Sequence, residues 1–269
     1  MPAQVQAPAK VRAVLNFAAD RTNGGIWSNG DRSRITQALQ AHEVEIRDAR
    51  RRSTPPTLER EGFTVQPSKI AAPAWTDEQW IADAYAPLCL ELVRGLTGAA
   101  HVLPYYKGAL IRDTGDPRRA PAAEFVHLDN TRASALPFLE RAARPEVQAQ
   151  HRRVMVFNVW RPITPPPQDV PLALCDQRTA SEADGVEGRT VEANFPDGVP
   201  YVTSVYNPDQ QWWYFSDVTP DEAVVFKGWD SDPTVPMGCL HGAFRQPEPP
   251  PGATPRASIE TRVFAFFDA

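Results

Sequence analysis

Twenty-eight prolines are spread through a chain of 269 residues, and this spacing limits the fold more than any other feature. Proline lacks the amide donor that a helix interior or a central strand requires. The apolar sequence is therefore cut into short pieces, which suit strands and loops better than a helical bundle. Candidate strands cover residues 11–17, 42–47, 100–106, 110–112, 124–128, 153–160, 172–175, 201–206, 211–215, 223–227, 239–244 and 259–267. Clusters of Pro, Gly, Asp and Asn separate them, as expected between short antiparallel strands. Two helices are expected. One starts at the capping sequence Thr76-Asp77-Glu78-Gln79 and carries Trp80, Ile81, Ala84, Tyr85, Leu88, Leu92 and Leu96 at helical spacing, and the other spans residues 134–143. The expected class is mainly β with flanking helices (α+β), a jelly-roll or cupin-like barrel. Residues 1–269 form one domain in this reading, with 1–99 as a strand and helix region bracing the barrel and 100–269 as its core.

Lys and Arg number 28 against 33 Asp and Glu, a net charge of −5. Such a surface lacks the clustered cations that displace counterions from a phosphate backbone, so nucleic acid is not expected as a partner. No run approaches the ~18 apolar residues of a membrane span, and the N-terminus has no signal-peptide pattern. The expectation is a soluble cytoplasmic protein without a membrane partner. Cys89, Cys175 and Cys239 are an odd number without a CxxC pair, which favours burial as small apolar residues over a disulfide framework or zinc ribbon.

The chemistry concentrates in a few polar residues within apolar strands. His127 and Asp129 stand two apart in Glu124-Phe125-Val126-His127-Leu128-Asp129. On an extended strand residues i and i+2 share a face about 6.5–7 Å apart, so an imidazole and a carboxylate can converge on one ion. The pair alone is weak. His241, in Gly238-Cys239-Leu240-His241-Gly242-Ala243-Phe244, supplies a third ligand if it lies on an opposing strand, and the small residues around it leave room for a ligand. Two histidines and one carboxylate with open positions form the facial triad of non-haem Fe(II) oxygenases, whereas zinc more often recruits a further His or Cys.

A second signal follows at Arg256-Ala257-Ser258, where the last strand opens. A guanidinium buried on a barrel wall needs a carboxylate, and its fork favours bidentate pairing. In this class of oxygenase the partner is the distal carboxylate of 2-oxoglutarate, with the Ser258 hydroxyl as a further donor. Arg262 competes for the same role, because it shares strand parity with Arg256 and Ser258 and is costly to bury unpaired.

With these residues in place, the chain resembles the hydroxylase/desaturase family of fungi and bacteria typified by AsaB, the gibberellin desaturase, CmcJ and NvfI. The resemblance runs through Gly95-Leu96-Thr97-Gly98-Ala99, Val126-His127-Leu128-Asp129-Asn130-Thr131, Phe157-Asn158-Val159-Trp160-Arg161-Pro162-Ile163, Pro171-Leu172-Ala173-Leu174-Cys175-Asp176 and the closing Arg-x-Ser-Ile-Glu-x-Arg. It implies a double-stranded β-helix that binds Fe(II) and 2-oxoglutarate and uses O₂ to oxidise a small specialised metabolite, releasing succinate and CO₂. Many relatives read HxDYT where this chain has His127-Leu128-Asp129-Asn130-Thr131, and an aromatic-histidine pair where it has Pro104-Tyr105-Tyr106-Lys107. These departures bear on substrate identity. Tyr105, Tyr106, Asn130, Trp160 and Trp213 are accordingly the candidate substrate-binding residues. Arg161 either forms a structural ion pair with Asp176 or reaches the cosubstrate or an acidic substrate. Two other readings stand beside this one: an accessory, non-catalytic subunit of a biosynthetic complex, and a cupin-like metal enzyme that does not use 2-oxoglutarate.

Overall fold

The computed structural model describes residues 9–106, 108–116, 119–192 and 195–268. The strands are β1 (Lys10–Ala18), β2 (Ile26–Trp27), β3 (Leu39–Asp48), β4 (Phe63–Pro67), β5 (His101–Pro104), β6 (Leu110–Asp113), β7 (His127–Leu128) and β8 (Arg153–Pro162). They continue with β9 (Leu172–Cys175), β10 (Gly185–Glu192), β11 (Phe195–Ser204), β12 (Trp212–Tyr214), β13 (Glu222–Asp230), β14 (His241–Ala243) and β15 (Ala257–Phe267). One sheet has nine strands in the order β1-β3-β12-β9-β14-β7-β11-β10-β2. The other runs β4-β13-β8-β15-β5, with β6 also paired to β15. The two curl against each other as the jelly roll that the strand pattern predicts.

The parity of β8 and β15 organises the interior. These strands pair over ten residues, with Trp160 opposite Glu260 and Asn158 opposite Arg262. Their even-numbered side chains, Val154, Val156, Phe264 and Phe266, face the core between the sheets. Odd-numbered Phe157, Val159, Ile259 and Val263 pack outward against Ile81, Tyr85, Cys89 and Val93. Those four residues recur every fourth position along one helical rod made of α1 (Glu78–Trp80), a π-helical segment Ile81–Tyr85 and α2 (Ala86–Thr97). Asp77 caps the rod by accepting from the amides of Gln79 and Trp80, and Gly98 ends it in the left-handed region at φ 66°. The expected apolar stripe differs from the observed one at Leu88, which is 50% exposed. The π-helical turn rotates the buried face onto Cys89.

Three further expectations change. The N-terminal region does more than brace the barrel, because β1 and β3 belong to the nine-stranded sheet and β4 to the other. The strand expected over 124–128 shortens to His127–Leu128. Upstream of it the backbone is tied at single points: Val126 donates to the Asn16 carbonyl, and the Ala123 carbonyl accepts from Ala243. Beyond α3 (Leu136–Ala142), Pro145 opens a second short helix, α4 (Pro145–Gln150), where a loop is expected. Proline at a first helical turn removes a donor that has no partner there anyway.

Candidate metal centre and active-site cavity

His127 on β7 and His241 on β14 are direct cross-strand partners, and Asp129 follows one residue after β7. The two rings lie 4.3 Å apart between centroids. Nε2 of each histidine is 3.8 Å from an Asp129 carboxylate oxygen, His127 from Oδ1 and His241 from Oδ2. One ligand atom from each of the three residues falls within 4.8 Å of the others. Nδ1 of His127 sits 2.9 Å from the Phe125 carbonyl oxygen, and Nδ1 of His241 sits 3.1 Å from that of Cys239. A carbonyl only accepts, so the ring proton belongs on Nδ1 and the Nε2 lone pair is free. Burial, reinforced by the neighbouring His241, pushes His127 down to about 3, and burial also lowers His241. Both rings are neutral at neutral pH, the state a metal ligand requires.

Asp129 is held at both oxygens. Arg262 Nη2 donates to Oδ1 and Asn158 Nδ2 to Oδ2, each at 2.6 Å. Burial works against its ionised form, yet Arg262 and the two imidazoles hold the carboxyl well below the usual range. Arg262 also donates from Nε to Glu260 at 3.0 Å, so two carboxylates already engage it. Arg256 differs. It is 2% exposed, its Nη1 donates to the Val170 carbonyl at 2.8 Å, and its guanidinium lies 5.5 Å above the Trp160 ring. Nε has no hydrogen-bond partner, and Asp169 accepts only from the backbone amide. Burial lowers its pKa to about 10.

Arg256, Ser258, Trp160 and the three triad residues line one narrow cleft. Through Leu110, Arg112, His127, Asp129 and Arg262 it adjoins a larger cavity of about 620 Å³ walled by Trp27, Tyr105, Tyr106, Phe125, Phe138 and Tyr201. A separate cavity of about 390 Å³ lies against Leu128, Val202 and Met237, and no triad side chain lines it. The substrate candidates therefore divide. Tyr105 and Tyr106 reach the large cavity and Trp160 the cleft. Asn130 is buried behind them, accepting from the Tyr105 hydroxyl at 2.7 Å. Trp213 lines neither space: the guanidinium groups of Arg52 and Arg47 lie over its ring at 4.3 and 5.6 Å.

One further expectation is overturned. Arg161 does not pair with Asp176 or line the cleft. Its odd parity on β8 turns it toward Tyr85, where it donates to the carbonyls of Ser68 and Pro220 and to the Ser68 hydroxyl, while Asp176 pairs with Arg178 at 2.6 Å. The small residues beside His241 do border the cleft, as expected, since Gly242 and Ala243 line it with the triad. A Cβ on Gly242 would lie 2.6 Å from the Phe125 carbonyl oxygen, so this glycine admits the neighbouring backbone. Sequence reasoning missed Arg112, Asn158 and Glu260. Their only signal is parity, which becomes readable once the register of β6, β8 and β15 is known.

Residues 15–266 match the profile of a family described as an oxidoreductase/YMDC permease-like domain. The chain is 29% identical over 231 residues to the Fe(II)/2-oxoglutarate-dependent dioxygenase NvfI of Aspergillus novofumigatus, covering 84% of this chain and 83% of that protein. It is 27% identical to the hydroxylase/desaturase EfuI of Hormonema carpetanum, covering 100% and 98%. A solved structure of the iron and alpha-ketoglutarate-dependent endoperoxidase NvfI superposes with a TM-score of 0.82 at 25% identity, covering 98% of this chain and all of that one.

Proposed function

Because the chain belongs to the hydroxylase/desaturase family of Fe(II)/2-oxoglutarate-dependent oxygenases, we propose that His127, Asp129 and His241 hold its Fe(II) and that Arg256 and Ser258 receive the distal carboxylate of 2-oxoglutarate. The enzyme oxidises a small specialised metabolite with O₂, and succinate and CO₂ are the co-products. The observation that carries the residue assignment is the pairing of two things in one cleft: two neutral imidazoles and a carboxylate with converging donor atoms, and a buried guanidinium with no carboxylate partner among the described residues.

The donor set suits Fe(II), since two imidazole nitrogens and one carboxylate leave open positions for a chelating cosubstrate and O₂. The unpartnered Nε of Arg256 suits an anion. When bound, Fe(II) with 2-oxoglutarate supplies the oxidation of a C–H bond. This chain's own share is placement. The Phe125 and Cys239 carbonyls fix the tautomers of His127 and His241. Asn158 and Arg262 keep Asp129 ionised and aimed. Arg256 over Trp160 orients the distal carboxylate, and the aromatic walls hold the substrate and exclude water. Arg262 is the weaker candidate for the cosubstrate role because Asp129 and Glu260 already engage it.

We further propose that residues 1–269 work as one domain, since β1, β3 and β4 share the sheets that carry the site strands. Among the described residues no helix is long and apolar enough to cross a membrane. A cytoplasmic location, and partners that exclude nucleic acid and membranes, belong to the same proposal. Nothing in the site favours an accessory subunit or a metal enzyme without 2-oxoglutarate. The test is anaerobic titration with Fe(II) and then 2-oxoglutarate, followed by the weak visible charge-transfer band of the chelate. Wild type should develop the band, and His241→Ala should lose both the band and stoichiometric iron. A fully active His241→Ala protein with iron bound would refute the ligand set.

A further inference from the structure

One guanidinium in the site has no part in the scheme above. Arg112, on β6, lines both the narrow cleft and the large cavity. Its Nη1 donates to Asn29 Oδ1 at 3.0 Å and to the Pro121 carbonyl at 2.8 Å. Among the described residues no carboxylate pairs with it, and Glu260, within electrostatic reach, is engaged by Arg262. Asn29 is itself fixed: its backbone amide and Nδ2 both donate to Glu192 Oε1 at 2.9 Å, and Oδ1 also accepts from Trp27 Nε1 at 3.2 Å. Arg112, Asn29, Trp27 and Glu192 thus form a connected strap along one wall of the large cavity, tying β6, the loop after β2 and the end of β10 together.

The strap holds the guanidinium by one edge, and among the described residues its other donors have no acceptor. Arg112 is half-buried, where a cation partly shielded from water without a paired carboxylate is costly, and the group that matches a guanidinium fork is a carboxylate. The rest of the wall is aromatic and suits flat, apolar rings, and a volume of about 620 Å³ lies in the range of small-ligand sites. The cleft already has Arg256 for the cosubstrate, and Asn29, which holds Arg112, lines the large cavity.

We infer that the substrate is a ring-bearing small acid whose carboxylate docks on Arg112 and whose rings lie against the Trp27, Tyr105 and Phe125 wall, beside His127 and Asp129. This deepens the reading of the triad as the iron site and rests on it for the placement of the reacting C–H bond. Arg112 is accordingly a specificity-determining residue.

The probes are matched acids and carboxamides of one to four fused rings, from benzoate to 1-pyrenecarboxylate, titrated by calorimetry into the protein with and without Fe(II) and 2-oxoglutarate. At least one acid should bind wild type about 10-fold or more tightly than its amide. Arg112→Gln should erase that preference, Arg112→Lys should retain part of it, and 2-oxoglutarate affinity should stay within about 2-fold in both. Equal binding of acids and amides, or binding of no acid in the series, overturns the inference. So does a loss of 2-oxoglutarate affinity in Arg112→Gln, which would give this guanidinium to the cosubstrate. Acid preference in the metal-free protein is read independently of iron, so it can survive even if the charge-transfer experiment defeats the triad.

Discussion

Asn158 donates to Asp129 Oδ2 at 2.6 Å, and it has room to do so because residue 228 on the neighbouring strand has no side chain. A Cβ on Gly228 would stand 2.4 Å from Asn158 Oδ1. The glycine lies where the β13–β8 register shifts between Lys227 and Trp229, so an irregularity in the sheet makes space for the group that aims Asp129.

Gly228→Ala should therefore act on iron without touching it. The displaced Asn158 releases one Asp129 oxygen, and loss of such a supporting contact typically costs about 10–100-fold in metal affinity. Calorimetric titration of the anaerobic apoprotein with Fe(II), beside a circular dichroism spectrum, measures this. Unchanged affinity in a folded variant would show that Arg262 alone orients Asp129.

Arg256 and Arg161 are both buried arginines, at 2% and 1% exposure, and should behave oppositely. Arg256→Ala should raise the 2-oxoglutarate concentration for half-saturation by about 30-fold to a few thousand-fold, the range for removing one partner of a buried charge pair, with iron still bound. Arg161→Ala should lower the thermal midpoint, because it strips donors from the Ser68 and Pro220 carbonyls, while leaving that concentration unchanged. If Arg262→Ala gives the cosubstrate effect and Arg256→Ala does not, the two strand neighbours exchange roles.

Gly242→Ala should destabilise the chain by about 1–3 kcal/mol, the usual cost of overpacking, since the new methyl meets backbone on the segment leading into β7. Urea midpoints give the value. Stability equal to wild type would mean that β14 can shift away from Phe125 freely.

The cysteines should be silent in the native state. Burial pushes Cys89 up to about 11 and Cys175 up to about 12 from an ordinary 9.0, and holds Cys239 well above it. Because the folded chain keeps these protons longer than the unfolded one, their contribution to stability is whole below pH 9 and declines as pH rises toward 11 and 12. Urea midpoints should fall through that window, less steeply in Cys175→Ala. A thiol-specific chromogenic disulfide should label none of the three at pH 8 before denaturation and all three after it. Rapid labelling of the folded protein would contradict the burial.

The shared face of His127 and Asp129 was readable before any coordinates, because an i, i+2 spacing on a strand dictates it, and His241 lay in an apolar strand flanked by small residues. Local patterning likewise located β1, β8, β9 and β15 and the capped helix. Parity on β15 put Arg256, Ser258 and Arg262 on one wall. What parity could not reveal was which guanidinium was already paired, since that depends on residues more than a hundred positions away. Arg262 meets Asp129 across the barrel, and among the described residues Arg256 meets no carboxylate.

The sequence by itself determined the mainly β class, the identity of three metal-type donors and the two competing arginines, because each follows from the period of a strand or the chemistry of a side chain. Only the tertiary structure decided where the N-terminal strands lie, that Arg161 faces the helical rod, that Gly228 and Gly242 yield their space to other residues, and that Arg112 is strapped beside the large cavity. Those outcomes depend on sheet order and register. Pairings between distant strands are set by the packing of the whole barrel, and no local stretch of sequence carries them.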